Sequence, residues 1–312
     1  MDQNSSPLAK YQRESVSVLL NIWIYFNLVS NNILLPILLF TILVSNRLQR
    51  HATFINVCST WVLSGIFSLL LFYAHQYRDS EPHKALCIAQ ASLLFGIPPM
   101  WGAAAFVFFY YVYKSLEGKT QQSEFGTLVS WLMFGAPYLF QISFSAVALV
   151  ISLKRPDLVN RQFSYFYCDL HFRPLALART TFVMFCIACT SLVQLLLIYK
   201  TYRNYSAIRR LSTPEAKAQL HSILRCVVRV STLAIYVAFG SVLELVSIIR
   251  PESILPQMYM ATVGTVVFLV FGTQWDVLCV WFPCLFKQES QQVTGDSLPR
   301  TLKLNRDSII RS

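Results

Sequence analysis

Charged residues are scarce in this sequence, 13% of 312 positions, against 55% apolar residues. Soluble domains carry about 25% charge, so a chain surrounded mainly by water is excluded. Histidine is rare as well. The five (His51, His75, His83, His171, His221) are scattered among loops and helix ends, which argues against the clustered His and carboxylate ligands of an intramembrane metalloenzyme or desaturase. The last apolar stretch, Leu255 to Phe286, contains no lysine, so retinal could not be held there as a Schiff base. Ionisable residues within apolar stretches are few and the chain does not divide into matching halves, which argues against a transporter of repeated design.

What is present in quantity is long apolar sequence. A helix needs roughly 20 mainly apolar residues to cross the hydrocarbon core, and seven segments meet that need: Val16 to Val44, Ala52 to Tyr77, Ala85 to Tyr113, Phe125 to Leu153, Leu175 to Tyr199, Val230 to Ile249 and Leu255 to Gly272. The pattern predicts an all-α, polytopic membrane protein: a seven-transmembrane helix bundle over residues 16–283, an extracellular tail at 1–15 and a mostly disordered cytoplasmic tail at 284–312. No short apolar stretch with a small-residue cleavage site precedes the first segment, so that segment is expected to act as a signal anchor.

Orientation follows from lysine and arginine, which are retained on the cytoplasmic side of short loops. With the N-terminus outside and the C-terminus cytoplasmic, 16 of the 26 basic residues fall inside and 10 outside. The net charge of +11 then belongs to a cytoplasmic surface facing anionic lipid, and no nucleic-acid binding is implied. Of the eight cysteines, only Cys87 and Cys168 reach the outer surface in this orientation. A disulfide between them is expected, pinning the outer end of the third helix to the second outer loop; the alternative is two unpaired thiols. Asn4-Ser5-Ser6 is a weak outer glycosylation sequon at Asn4.

Four stretches carry a resemblance to a known family. They are Cys87-Ile88-Ala89-Gln90-Ala91 with Pro98-Pro99-Met100-Trp101, Phe134-Gly135-Ala136-Pro137-Tyr138, Tyr167-Cys168, and Phe271-Gly272-Thr273-Gln274-Trp275-Asp276-Val277-Leu278. In this order the chain resembles the G-protein-coupled-receptor-like seven-helix proteins of basidiomycete fungi. The resemblance implies a plasma-membrane receptor, without enzymatic activity or cofactor, that senses an unknown extracellular ligand and signals to a heterotrimeric G protein. The other reading is a seven-helix transporter or lipid-handling protein. The rhodopsin-like switches are missing: the third helix ends Tyr110-Tyr111-Val112-Tyr113-Lys114 without Asp-Arg-Tyr, and the last helix has no Asn-Pro-x-x-Tyr.

Site residues follow within that frame. Arg179 in the fifth helix and Glu244 in the sixth are expected to line a ligand pocket or to pair across it, with Trp101 as a further ligand-binding residue. Alternatively, Arg179 snorkels to the interface and Glu244 faces a hydrated crevice. Adjacent Pro98 and Pro99 predict a kink, which opens a pocket or merely adjusts packing. Ser212-Thr213-Pro214-Glu215 reads as a helix start. It is followed by a basic stripe, Lys217, His221, Arg225 and Arg229, which contacts the G protein or simply anionic lipid. Ser212 also follows Arg209-Arg210-Leu211 as a kinase site, competing with its role as a cap. Asp276 to Phe282 predicts a short interfacial helix, and Cys284 behind it is placed for palmitoylation.

Overall fold

The structure, a computed structural model, describes residues 7–45, 52–79, 82–115, 127–161, 166–208, 224, 227–229, 231–240, 242–243 and 254–281. These residues are mostly helical. Helix α1 (Pro7–Phe26) continues through a π-helical stretch, Asn27–Leu34, into α2 (Leu35–Val44). There follow α3 (Ala52–Ser68), α4 (Leu70–Tyr73), α5 (Lys84–Ser115) and α6 (Thr127–Lys154). A two-stranded hairpin, β1 (Val159–Asn160) and β2 (Asp169–Leu170), leads to α7 (Arg173–Ile208). A shorter apolar helix α8 (Val227–Gly240), then α9 (Leu255–Gly272) and α10 (Trp275–Trp281), complete the described chain.

Among the described residues, five helical stretches are long and apolar enough to cross a membrane: Ser17–Val44, Lys84–Ser115, Trp131–Lys154, Arg173–Arg203 and Leu255–Gly272. Ala52–Ser68 and Val227–Gly240 are apolar but shorter. At 1.5 Å per residue, the 32 residues of α5 span about 48 Å, longer than the roughly 30 Å hydrocarbon core. Helix α5 is also the central post. It packs most extensively on α6, then on α7 and α3, and its Ala91, Phe95, Met100 and Ala104 are buried. The outward faces of α6 and α7 keep large apolar side chains exposed, including Trp131, Phe185 and Leu192. Lipid contact accounts for such a surface, as water does not.

Helical structure begins at Pro7, inside the polar stretch expected as a tail, because proline at the first helical position presets φ and loses no amide bond there. Pro98 and Pro99 sit inside α5, which runs unbroken across them. The least expected element is the π-helical stretch. The Leu35 N–H bonds to the Ser30 carbonyl, five residues back, and amide side chains satisfy the loosened backbone: Asn27 Nδ2 donates to the Trp23 carbonyl (3.0 Å) and Asn32 Nδ2 to the Asn27 carbonyl (3.2 Å).

Within this stretch Asn31, 2% exposed, is wedged between two glycines of neighbouring helices. A Cβ on Gly65 of α3 would lie 2.4 Å from Asn31 Cβ, and a Cβ on Gly264 of α9 would lie 1.9 Å from Asn31 Oδ1. Ser30 beside it is hydrogen-bonded to Thr265 of α9. The opposite end of the same interface is closed by Trp281 of α10, whose Nε1 donates to Thr41 Oγ1 (2.9 Å) while its ring stacks on Phe268.

Two substitutions separate these contacts. Gly264→Ala and Gly65→Ala are each expected to destabilise the bundle by about 1–3 kcal/mol through overpacking. Adding Asn31→Ala should rescue Gly264→Ala, because Oδ1 is removed, and should not rescue Gly65→Ala, because the Asn31 Cβ remains. Thermal unfolding of the three single and two double variants in detergent micelles reads this as a coupling in one double-mutant cycle and its absence in the other.

Candidate functional site: two cavities under a disulfide-tethered hairpin

The site is built around Cys87, three residues into α5. Cys87 and Cys168 form a disulfide with Cα atoms 5.3 Å apart, which ties the hairpin to the end of α5. Its neighbour in space is Gln90, completely buried one turn further along α5. The Gln90 Oε1 accepts from the Cys168 N–H (3.1 Å), and its Nε2 donates to the Ser68 carbonyl (2.8 Å). One side chain thus holds the loop cysteine and the last residue of α3, where that helix breaks at Leu69 before α4. Helix α4 ends with His75 at φ 58°, and Gln76 N–H bonds back to the Leu71 carbonyl while His75 N–H bonds to that of Phe72, a Schellman closure.

The hairpin is held on both sides. Lys84 Nζ donates to the Val159 carbonyl (3.2 Å) and His171 N–H to the Leu158 carbonyl (2.9 Å). Arg161 donates to the carbonyls of Asp79 (2.7 Å) and Tyr77 (3.2 Å). Burial pushes the Arg161 guanidinium below its ordinary pKa, opposed by the nearby Asp79 carboxylate, and the arginine stays charged because its ordinary value is so high. Phe166 stacks on Trp23 of α1, ring centroids 5.3 Å apart, with Tyr167 tilted against the same indole.

Beneath this cover lies a cavity of about 440 Å³. One wall is amide and hydroxyl, formed by Asn27, Asn31 and Ser64. The lining also carries Asp169, His171, Arg173 and Arg179, the last with its guanidinium 4.6 Å above the Phe95 ring. Asp169 accepts from the Leu170 N–H (2.8 Å). Among the described residues the lining holds two guanidinium groups and one carboxylate. At the floor Trp61 of α3 and Trp101 of α5 stack with centroids 4.0 Å apart. The Trp101 Nε1 is buried with no hydrogen-bond partner among the described residues.

Below that stack is a second cavity of about 360 Å³, almost wholly apolar, between α5, α7 and α8. Trp61, Pro98, Trp101 and Met260 line both cavities and so form the partition between them. Leu195, Ile198 and Ile235 line the inner cavity and are exposed on the flank of the bundle. Each volume falls within the roughly 300–1,000 Å³ of small-molecule sites. Among the described residues no group of His, Cys, Asp and Glu is arranged to hold a metal ion.

Of the residues singled out from sequence, Cys87 and Cys168 are bonded, and Arg179 and Trp101 line the same cavity. Glu244, the suggested partner of Arg179, lies outside the described residues, as do Asn4, Ser212, Lys217, His221, Arg225 and Cys284. Arg229 is half-buried in α8. A short helix is present over the stretch expected to hold one, as α10, with Trp281 bonded back onto α2. Sequence reasoning missed Asn27, Asn31, Gln90 and Trp61. The signal for the amides was available, since polar residues at i and i+4 inside an apolar segment point to a bundle interior.

Gln90→Leu is expected to leave the Cys168 N–H and the Ser68 carbonyl without their partner and to lower stability by about 1–3 kcal/mol per stranded group. Thermal unfolding under non-reducing conditions measures the loss, and mass analysis after alkylation should find Cys87 and Cys168 still joined. Compared with known proteins, the chain matches no protein-family model and no curated protein.

Proposed function

We propose that this chain is a seven-helix receptor of the plasma membrane, with its N-terminus and the disulfide-bonded hairpin outside, that takes an extracellular ligand and signals to a heterotrimeric G protein. The observation that carries the reading is the cavity of about 440 Å³ under a covalently tethered hairpin, with Arg179 and Trp101 in its lining. A disulfide belongs in an oxidising compartment, which favours the hairpin side as the exterior. In this reading the five long apolar helices are joined by the two shorter apolar ones, α3 and α8, as the sixth and seventh crossings. The resemblance to the receptor-like proteins of basidiomycete fungi supports the same assignment, and the basic stretch that leads into α8, from Lys217 to Arg229 in its first turn, is then the surface offered to the G protein.

The apolar inner cavity, with exposed residues of its lining on the flank of the bundle, favours a second reading, a lipid-handling membrane protein or transporter. The two differ in what they do to a partner. Co-reconstitution with a panel of Gα subunits should reveal accelerated guanine-nucleotide exchange in at least one case, lost when Arg225 and Arg229 are both changed to Glu. Absence of exchange with every Gα subunit, together with solute or lipid flux in proteoliposomes, would replace the receptor reading with the second.

A further inference from the structure

Hydroxyl groups in the wall of the inner cavity are treated in two ways. Thr60 Oγ1 donates to the Val57 carbonyl (2.7 Å) and Thr190 Oγ1 to the Cys186 carbonyl (2.8 Å), each satisfied within its own helix. Ser231 of α8 is not: its Oγ is buried with no hydrogen-bond partner among the described residues. The next residue, Thr232, does bond back, to the Val228 carbonyl (2.9 Å), so α8 permits the bond that Ser231 forgoes. A hydroxyl left unpaired in an apolar surround is costly. The rest of the wall is largely Val, Ile, Leu, Ala and Phe. The cavity is long: Pro98 and Phe109 of α5, eleven residues apart, both line it and lie roughly 17 Å apart along the helix. It opens sideways, because Leu195, Ile198 and Ile235 line it and are also exposed on the apolar flank of the bundle. Ile235 is one turn from Ser231 on the same face of α8, so the unpaired hydroxyl stands beside the opening.

We propose that the inner cavity is a binding site for a sterol of the bilayer, whose single hydroxyl pairs with Ser231 Oγ while its ring system fills the space up to the Trp61–Trp101 layer. What reaches a cavity through the apolar flank of a membrane bundle is a component of the membrane. Phospholipids bring a charged headgroup, and diacylglycerols and ceramides bring two chains and further polar groups, which a largely apolar wall disfavours. A sterol brings one hydroxyl on an apolar body. Its hydroxyl both donates and accepts, as does that of serine, so either partner supplies the proton. Its rings are rigid, so little conformational freedom is lost on entry. The site stands on the inner cavity alone and does not depend on what the outer cavity takes or on coupling to a G protein.

The test uses the full chain in phosphatidylcholine nanodiscs with cholesterol carrying a ring diazirine and a free 3-hydroxyl. Photolysis is expected to label residues around Ala105, Gln194 and Leu233, which line the inner cavity. Unlabelled cholesterol should compete, and the hydrocarbon analogue without the hydroxyl should compete about fivefold more weakly, the loss of one neutral hydrogen bond. In Ser231→Ala the two should compete equally, because the group that tells them apart is gone. In sterol-free nanodiscs the same variant should unfold at a temperature no lower than the wild type, since it removes an unpaired group. Ala105→Leu is an independent probe on a different helix: it fills the cavity and should lower labelling of Gln194 and Leu233. Label confined to the lipid-facing Phe185 and Leu192, equal competition by the hydrocarbon in the wild type, or an undiminished hydroxyl preference in Ser231→Ala overturns the proposal. So does a lowered unfolding temperature of Ser231→Ala without sterol, which would mean that the hydroxyl is already bonded. Hexadecanol competing as well as cholesterol also overturns it, assigning the cavity to a single chain.

Discussion

Asn31 between Gly65 and Gly264 is the contact on which the rest of the bundle depends. In lipid, helices gain little from burying apolar surface against one another, so close approach of backbones and side-chain hydrogen bonds hold them together. Two glycines on different helices, each facing the same asparagine, bring α3 and α9 against the π-helical stretch at once. The π-helical stretch makes this possible: its wider turn faces Asn27, Ser30 and Asn31 inward together, where Asn31 Nδ2 donates to Asn27 Oδ1 (3.1 Å) and Ser30 reaches Thr265. Those inward amides then form the polar wall of the outer cavity. The wall is therefore fixed by packing, and its chemistry comes with its rigidity.

A second fixed point stands opposite. Gln90 and the Cys87–Cys168 bond hold the hairpin against α5 and α3, so Asp169 and His171 are delivered to the cavity by a tethered hairpin and Arg173 by the start of α7. Further along α5, Gly96 repeats the logic of the glycine contacts. A Cβ there would meet the Gln141 carbonyl of α6 at 2.5 Å, and Gln141 Nε2 donates to the Leu93 carbonyl at 2.8 Å. Helix α5 is thus clamped to α3, α6 and the hairpin by buried amides, each joined to a backbone group of another element. Between helices, the buried amides of Asn56, Gln90 and Gln141 each donate to a main-chain carbonyl of a neighbouring helix, and these bonds position the helices.

Legibility in the sequence follows from how local each signal is. Apolar runs are local, so the long helices were readable, and the two cysteines were found because topology left each a single partner. The short helix ending at Trp281 was readable for the same reason. Asn31 was not, because its meaning lies in two glycines 34 and 233 residues away. Gln90 looked like part of a resemblance and proved to be the tie between a loop amide and a helix end. The prolines at 98 and 99 predicted a kink, and α5 carries both within one continuous helix. Seven crossings and their direction were read from composition; the structure supports five by length and apolarity, and α3 and α8 fall short of that length.

The Trp61–Trp101 layer decides how the two ends of such a bundle can communicate. Gly102, next to Trp101, already lies so close to α7 that a Cβ would meet Cys186 Cβ at 3.1 Å, and α5 is held by Gln90 and Gln141 above. Sliding α5 along its neighbours would break several buried hydrogen bonds together, at about 1–3 kcal/mol for each group stranded. Rotating the two indoles, or shifting Met260, breaks none of those bonds. Under the receptor proposal, occupancy of the outer cavity is therefore felt below through side-chain repacking of this layer, with α7 and α8 on the far side of the inner cavity as the elements that respond. A chain that lacks the familiar switch motifs at its opposite end has here a packed layer with space beneath it, and that space is what allows a second arrangement.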